Sequence, residues 1–125
     1  MDEAFIKKVQ PNSPEAEQSV IGAMIMDRDA IADGLDIVSA DDFYQKQNGI
    51  LFEAMTELYR EGKPVDLVTL QNKLKKKDVP ESMKSLEFIR DLLEAVPTSA
   101  NAKQYAKIVS EKATLRKPVS YTHLT

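Results

Sequence analysis

The sequence predicts an all-α fold: a compact bundle of about six helices that ends in an antiparallel helical hairpin. Three observations lead to this prediction. Apolar residues recur every three or four positions along most of the 125 residues, which is the period of an amphipathic helix. No segment has the alternating pattern of a strand. Residues that begin or end helices, such as Ser13, Gly62 and Asp66, stand between the periodic segments.

The first helix is predicted to begin at Ser13, whose side chain can cap it, with Pro14 in its first turn. Glu15 and Glu17 follow where unpaired backbone N–H groups concentrate positive potential, so we interpret both as helix-start carboxylates. The apolar residues behind them cover nearly the whole circumference: Ala16, Val20, Ile21, Ala23, Met24 and Ile25. This pattern predicts a helix buried between neighbours.

Three helices are predicted in the middle of the chain. A short one lies around residues 30–38, and a long one covers residues 45–61. The long helix ends at Gly62, because glycine tolerates the left-handed conformation that often follows a helix. Asp66 can cap the next helix, which closes with lysines at 75–77, where helix carbonyls favour cations.

The last two helices are predicted at residues 82–96 and 99–117, with Ser99 as a cap for the second. Helices joined by a short turn usually lie antiparallel. Both carry apolar residues outside their main stripe, among them Ile108 and Leu115. This surplus indicates either contact with something beyond the pair or a covering helix in the same chain.

Composition bounds the class of protein. The chain has 42% hydrophobic and 30% charged residues and a net charge of −3, which is typical of a soluble, single-domain globular protein. Residues 1–60 carry twelve acidic and five basic side chains, and residues 61–125 carry eight and twelve. Surfaces of opposite sign favour protein partners or self-association. No apolar run approaches a membrane span and no signal peptide opens the chain, so we expect a cytoplasmic protein.

The ends of the chain lack the helical pattern. Residues 1–10 have no clear period and are predicted to form a flexible arm, so that the folded domain covers residues 11–117. The tail at 118–125 fits no pattern and looks foreign to the fold.

The residues needed for catalysis are not evident. The four glycines are scattered and form no phosphate-binding loop. His123 is the one histidine and lies in the tail, and there is no cysteine, so a metal centre or nucleophilic catalysis is not expected. One functional alternative is a free-standing enzyme of unrecognised type, and the missing catalytic residues make it the weakest alternative.

One basic cluster could contact nucleic acid. It comprises Lys73, Lys75, Lys76 and Lys77, and lysines bind phosphates. The alternative function is accordingly a small helical nucleic-acid-binding regulator. No aromatic residue interleaves with the lysines for base stacking, so a solvated helix end is the competing interpretation.

The exact amino-acid sequence of several segments adds information beyond their hydrophobic periodicity. Residues 14–23 read PEAEQSVIGA, followed in order by DFY at 42–44, ILFEAM at 50–55, GKPVDLVTL at 62–70, AVPT at 95–98 and YAKIV at 105–109. Together these resemble the N-terminal domain of the bacterial replicative DNA helicase, the DnaB family, over roughly residues 11–117. Two departures are Asn48, where the family often has histidine, and the loop at 75–85, which lacks the family's usual glycines.

The resemblance implies the N-terminal part of a hexameric, ATP-dependent, 5′ to 3′ helicase that unwinds DNA at the replication fork. It implies that the ATPase motor, with its ATP and Mg²⁺, belongs to a part missing here, and that DNA is bound through the full-length hexamer. This domain would be the collar, which pairs subunits through the hairpin at about 82–117 and receives the C-terminal domain of primase.

By alignment with the family, we expect primase to contact Glu15 and Phe88. The expected dimer surface on the hairpin comprises Leu86, Ile89, Leu93, Tyr105, Ile108, Val109 and Leu115.

Overall fold

The computed structural model describes residues 10–94 and 101–117. Within these ranges it contains six α-helices and two short 3-10 helices, and no strand. In chain order they are α1 (Pro14–Met26), α2 (Arg28–Ile37), a 3-10 helix (Ala40–Asp42), α3 (Lys46–Arg60), α4 (Leu67–Lys75), a 3-10 helix (Glu81–Lys84), α5 (Leu86–Glu94) and α6 (Ala102–Arg116). The predicted all-α fold of about six helices is confirmed. None of the described helices is long and apolar enough to span a bilayer.

Helix α1 is the centre of the fold. It begins as predicted, with Pro14 in its first turn and the Ser13 hydroxyl accepting a hydrogen bond from the backbone N–H of Ala16 at 3.2 Å. It packs against α2, α3, α5 and α6, and Ile21 and Met24 on it are buried. The predicted burial of this helix between neighbours is confirmed.

Every α-helix contributes to one hydrophobic core. Burying one large aliphatic side chain, such as leucine or isoleucine, stabilises the fold by about 2 kcal/mol. The large core side chains that are essentially inaccessible to solvent are Ile21 and Met24 from α1, Ile31 from α2, Leu51 and Met55 from α3, Leu70 and Leu74 from α4, Ile89 from α5 and Val109 from α6.

The predicted end of α3 and the predicted start of α4 are confirmed. Gly62 follows α3 with a φ of 74°, in the left-handed region that glycine favours. Asp66 and Thr69 cap α4 reciprocally: the Thr69 N–H donates to Asp66 Oδ1 at 2.9 Å, and the Asp66 N–H donates to Thr69 Oγ1 at 2.9 Å. This is the capping-box arrangement with a hydroxyl in place of the usual Glu or Gln.

The predicted helix at 82–96 is wrong at its start. Residues 81–84 form a 3-10 helix, and α5 begins only at Leu86. The cause is Ser85, whose Oγ accepts a hydrogen bond from the Phe88 N–H at 3.2 Å. A serine that caps a helix in this way adopts an extended backbone, here with ψ of 150°, and so separates the two helical segments.

The last two helices share α1 as a neighbour but differ in the other helix that each contacts. Helix α5 contacts α1 and α4, whereas α6 contacts α1 and α2. Helix α6 begins at Ala102 after Asn101, and the predicted cap Ser99 lies outside the described residues together with the rest of 95–100. The hairpin of these two helices therefore stays a prediction. The predicted arm, apart from Gln10, and the predicted tail at 118–125 also lie outside the described residues.

Candidate partner-binding surfaces

Two residues of the expected dimer surface lie in the domain's own core. Ile89 is 0% exposed and Val109 is 1% exposed. The apolar stripes of α5 and α6 both face α1, so these two side chains cannot contact a partner while the domain is folded. Assigning them to the dimer surface is therefore corrected.

The other members of the expected dimer surface reach the surface to different degrees. Leu86 is half-buried, and Leu93, Tyr105 and Ile108 are half-buried side chains that pack against the core. Leu115, in the last turn of α6, is 63% exposed. Ile108 and Leu115 are seven residues apart and thus share one helix face, which differs from the buried stripe. We call this face, with Tyr105, the α6 strip.

A shallow groove lies beside the two residues expected to contact primase. It has a volume of about 290 Å³ and is lined by residues from the starts of α1 and α3 and by Leu92 of α5. Glu15 is exposed three residues before Gln18, which lines the groove, and the half-buried Phe88 lies four residues before Leu92. Residues at these spacings are neighbours on a helix surface, so Glu15 and Phe88 each lie one helical turn from a residue that lines the groove, although neither lines it.

Glu17 joins α1 to the start of α3. Its side chain is buried, with 1% exposure. Oε2 accepts a hydrogen bond from the Tyr44 N–H at 2.7 Å, and Oε1 accepts one from the Gln45 N–H and one from Asn48 Nδ2, both at 3.1 Å. The carboxylate thus satisfies backbone donors at the start of α3, where the helix dipole favours a negative charge.

Glu17 lies in the first turn of α1 as predicted, but the interpretation as a helix-start carboxylate misses its hydrogen bonds to the start of α3. A signal for its actual position was present in the sequence. Glu17 precedes Val20, Ile21 and Met24 by three, four and seven residues, which places it on the buried face of α1. Asn48, one of the two departures from the DnaB pattern, is the side chain that donates to it.

The lysine cluster is partly neutralised by α3. Lys73 Nζ lies 2.8 Å from Glu61 Oε2 and 3.6 Å from Glu57 Oε1. Lys77 Nζ lies 3.0 Å from Glu57 Oε2 and 3.8 Å from Glu53 Oε1. We call these five side chains the α3–α4 ion-pair ladder.

The ladder affects protonation as well as charge. A hydrogen bond from Lys73, followed by one from Lys63, lowers the pKa of Glu61, and the hydrogen bond to Glu61 raises the pKa of Lys73. Phosphate groups would have to compete with these carboxylates, which removes the main support for a nucleic-acid-binding regulator. Lys75 and Lys76 are exposed.

The described residues contain no group of three or more His, Asp or Glu side chains placed to hold a metal ion.

Comparisons with known proteins agree with the resemblance seen in the sequence. The family model described as DnaB-like helicase N terminal domain matches residues 9–111. The replicative DNA helicase DnaB of Geobacillus stearothermophilus is 38% identical over 117 residues, which cover 94% of this chain and 26% of that protein. The replicative DNA helicase DnaC of Bacillus subtilis (strain 168) is 36% identical over 117 residues, with the same coverages.

A solved structure shares the fold. The crystal structure of the N-terminal domain of DnaB helicase from Mycobacterium tuberculosis superposes with a TM-score of 0.82 at 39% sequence identity, covering 86% of this chain and 75% of that one. The chain spans about a quarter of the length of the two replicative helicases it matches. The family match over most of the chain and the shared fold together show that this chain belongs to the DnaB-like helicase N-terminal domain family.

Proposed function

We propose that this chain acts as the collar domain of a hexameric replicative DNA helicase, where subunits associate and primase binds. The relatives that it matches are named replicative DNA helicases, and it corresponds to about a quarter of their length. For the whole protein we propose ATP- and Mg²⁺-dependent unwinding of DNA in the 5′ to 3′ direction at the replication fork, in the cytoplasm. The motor and the DNA contacts of the hexamer then lie outside this chain.

The observation that carries subunit association is the α6 strip. Leu115 is 63% exposed, and Ile108 continues the same helix face toward the half-buried Tyr105. A single exposed leucine is common on a monomer, but Leu115 lies on the same helix face as the partly exposed Ile108, and adjoining apolar surface of this kind supports a contact surface. Burying Leu115 in a dimer would contribute about 2 kcal/mol per copy.

Sedimentation velocity at a series of concentrations tests this assignment. The chain is expected to self-associate, and Leu115→Ser is expected to shift it toward monomer without loss of folding, because the leucine is mostly exposed. Val68→Ser is the matched control, since Val68 is 65% exposed on α4. Equal self-association of wild type and Leu115→Ser would contradict the proposal for this surface.

Primase binding at Glu15 and Phe88 rests on the family resemblance, and it is supported by their positions one helical turn from Gln18 and Leu92, which line one groove. A partner that extended from the groove over the neighbouring turns of α1 and α5 would contact both the Glu15 carboxylate and the Phe88 ring, and buried aromatic side chains often dominate binding energy.

Isothermal titration with the C-terminal domain of a bacterial primase from a close relative tests the docking site. We expect saturable binding that Glu15→Ala and Phe88→Ala each weaken. Glu87→Ala, an exposed carboxylate on α5, is the control and should bind like wild type. Single-stranded DNA injected in place of primase should give no saturable heat. DNA binding without primase binding would contradict the proposal and favour the lysine cluster.

A further inference from the structure

Two adjoining depressions run along one side of α3. Their volumes are about 560 and 270 Å³, and they share Ala40 and Glu53. The wider one is lined by residues that include Phe43, Tyr44 and Ile50, and the narrower one by residues that include Leu35, Val38 and Arg60. Together we call them the α3 groove. It follows the helix from Lys46 to Arg60, a distance of about 21 Å at the rise of an α-helix.

The start of the described chain is fastened beside the wider depression. Arg116, at the end of α6, donates from Nη1 to the carbonyl oxygen of Pro11 at 2.8 Å and from Nη2 to that of Asp42 at 2.6 Å. Its guanidinium also lies 5.4 Å from the centre of the Tyr44 ring, a cation–π distance. One side chain therefore holds Pro11 next to the residues that border the groove. The peptide that precedes Gln10 is attached at this point.

Residues 1–9, MDEAFIKKV, carry apolar side chains suited to such a groove. Phe5 and Ile6 are adjacent, and the two lysines at 7–8 separate them from Val9. Ile50 is half-buried in the wall of the wider depression, so part of its apolar surface is open to an occupant. Nine residues reach up to about 30 Å when extended, which exceeds the length of the groove.

The order of charges also matches. The basic residues at 7–8 are the nearer ones to the point of attachment, where Asp41 and Glu53 line the wider depression together with Lys46 and leave its lining with a net negative charge. Glu53 keeps 59% of its side-chain surface exposed, even with its 3.8 Å contact in the α3–α4 ion-pair ladder. The acidic residues at 2–3 are further from the point of attachment in the sequence, and Arg60 lines the far end of the narrower depression, which Glu53 also lines. Complementary charges of this kind fix the direction of a bound segment.

We propose that residues 1–9 bind in the α3 groove of their own chain, running from the Tyr44 end toward Arg60. Arg116 is the positioning residue that aims the segment. The absence of a helical period in these residues agrees with binding as an extended peptide, in which apolar side chains fill pockets and flanking charges set the direction.

A spin label in the intact chain tests this arrangement. The chain contains no cysteine, so Ala4→Cys gives a single attachment site for a nitroxide. We expect loss of amide NMR signal at residues of the α3 groove, including Ile50 and Glu53, and recovery of that signal when the nitroxide is reduced. Signal loss that is spread evenly over the surface, or centred on another face, would overturn the proposal.

Variants show whether the groove itself holds the segment. The double change Lys7→Glu and Lys8→Glu, made within the segment, should restore the groove signals by opposing the carboxylates. Ile50→Ser should restore them by removing an apolar wall, whereas Val68→Ser on α4 should leave the signal loss unchanged. Signal loss that persists in both the lysine double variant and Ile50→Ser would overturn the proposal.

A mixing experiment identifies the chain that supplies the segment. Spin-labelled protein without isotope label is mixed with an equal amount of isotope-labelled protein without the nitroxide. Binding within one chain predicts no signal loss in the mixture. Signal loss at the groove would mean that the segment of a second copy occupies it, and that result would overturn the assignment to the same chain.

Discussion

Carboxylates connect α3 to neighbouring helices in two regions, at its start and along its length. The carboxylate at the start is buried, whereas those along the helix are exposed to solvent. At its start, Glu17 of α1 is 1% exposed and accepts three hydrogen bonds. Along its outer side, the α3–α4 ion-pair ladder connects Glu53, Glu57 and Glu61 to two lysines of the α4 region, and its side chains keep between 20% and 59% of their surface exposed.

These contacts differ in how far water reaches the charged groups. A buried carboxylate has lost its hydration and depends on the donors that the fold supplies, so its removal leaves those donors without a partner. An exposed ion pair exchanges water for a partner of similar strength, and such pairs typically contribute about 0.2 to 1 kcal/mol. We conclude that the Glu17 contact determines how α1 and α3 fit together, while the ladder adjusts stability and surface charge.

The largest effect is expected from Glu17→Ala. The substitution removes the acceptor for the Tyr44 and Gln45 N–H groups and for the Asn48 amide. Because each buried donor left unpaired costs about 1 to 3 kcal/mol and water can reach part of this site, we expect a loss of about 3 kcal/mol in the free energy of unfolding. Urea denaturation followed by circular dichroism measures it.

Glu15→Ala is the control for Glu17→Ala. Glu15 is exposed in the same turn of α1, so its removal should cost only the helix-dipole contribution, about 0.3 to 1 kcal/mol. Similar losses for the two variants would show that burial does not distinguish these carboxylates, and the comparison of the two regions of α3 would fail.

The helices themselves could be predicted from the sequence because their signals are local. Ser13 and Asp66 cap helices within three residues of themselves, and Gly62 ends α3 through its own backbone angle. The role of Glu17 could not be predicted in this way, since its partners lie 27 to 31 residues further along the chain. Its position on the apolar face indicated burial but not the identity of the partners.

The candidate surfaces were predictable only in part for a similar reason. Periodicity separated Leu115 from the main stripe of α6, and the structure shows Leu115 at the surface. The expected dimer surface rests on the family resemblance and includes Ile89 and Val109, which lie on the main stripes of their helices and are buried in the domain's own core. Ser85 likewise divided a predicted helix, because a serine hydroxyl can cap a helix as well as lie within one.

Gly49→Ala sharpens the comparison at the buried end of α3. A Cβ at Gly49 would lie 2.8 Å from the carbonyl oxygen of Ala40, so the 3-10 helix and α3 would have to separate. Alanine gains about 1 kcal/mol of helix propensity over glycine, but overpacking costs about 1 to 3 kcal/mol. We expect a net loss of about 1 kcal/mol in unfolding free energy.

Gly34→Ala is the matched control for Gly49→Ala. A Cβ at Gly34 would meet the Met24 sulfur at 3.4 Å and the Phe52 ring at 3.5 Å, which flexible side chains accommodate. Thermal unfolding should therefore show a higher midpoint for Gly34→Ala than for Gly49→Ala. The reverse order would show that the contact between the 3-10 helix and α3 is loose and does not constrain this end of the helix.

The smallest effect is expected from Lys73→Gln in the ladder, and its pH dependence identifies the cause. Lys73 lowers the pKa of Glu61 below its ordinary value of 4.5, so the stabilisation from this pair is present above that value and is lost as the pH falls through the folded-state pKa. Glu61 raises the pKa of Lys73 above 10.5, so the stabilisation is also lost as the pH rises through the pKa of the folded lysine.

Wild type should therefore have a slightly higher urea midpoint than Lys73→Gln at about pH 7, and the difference should shrink at about pH 3. Lys76→Gln, an exposed lysine outside the ladder, should show little difference at either pH. Added salt should reduce the difference for Lys73→Gln at neutral pH, because an exposed pair is screened. A difference that persists at acid pH and in salt would mean that the aliphatic part of Lys73, and not its charge, stabilises the contact between α3 and α4.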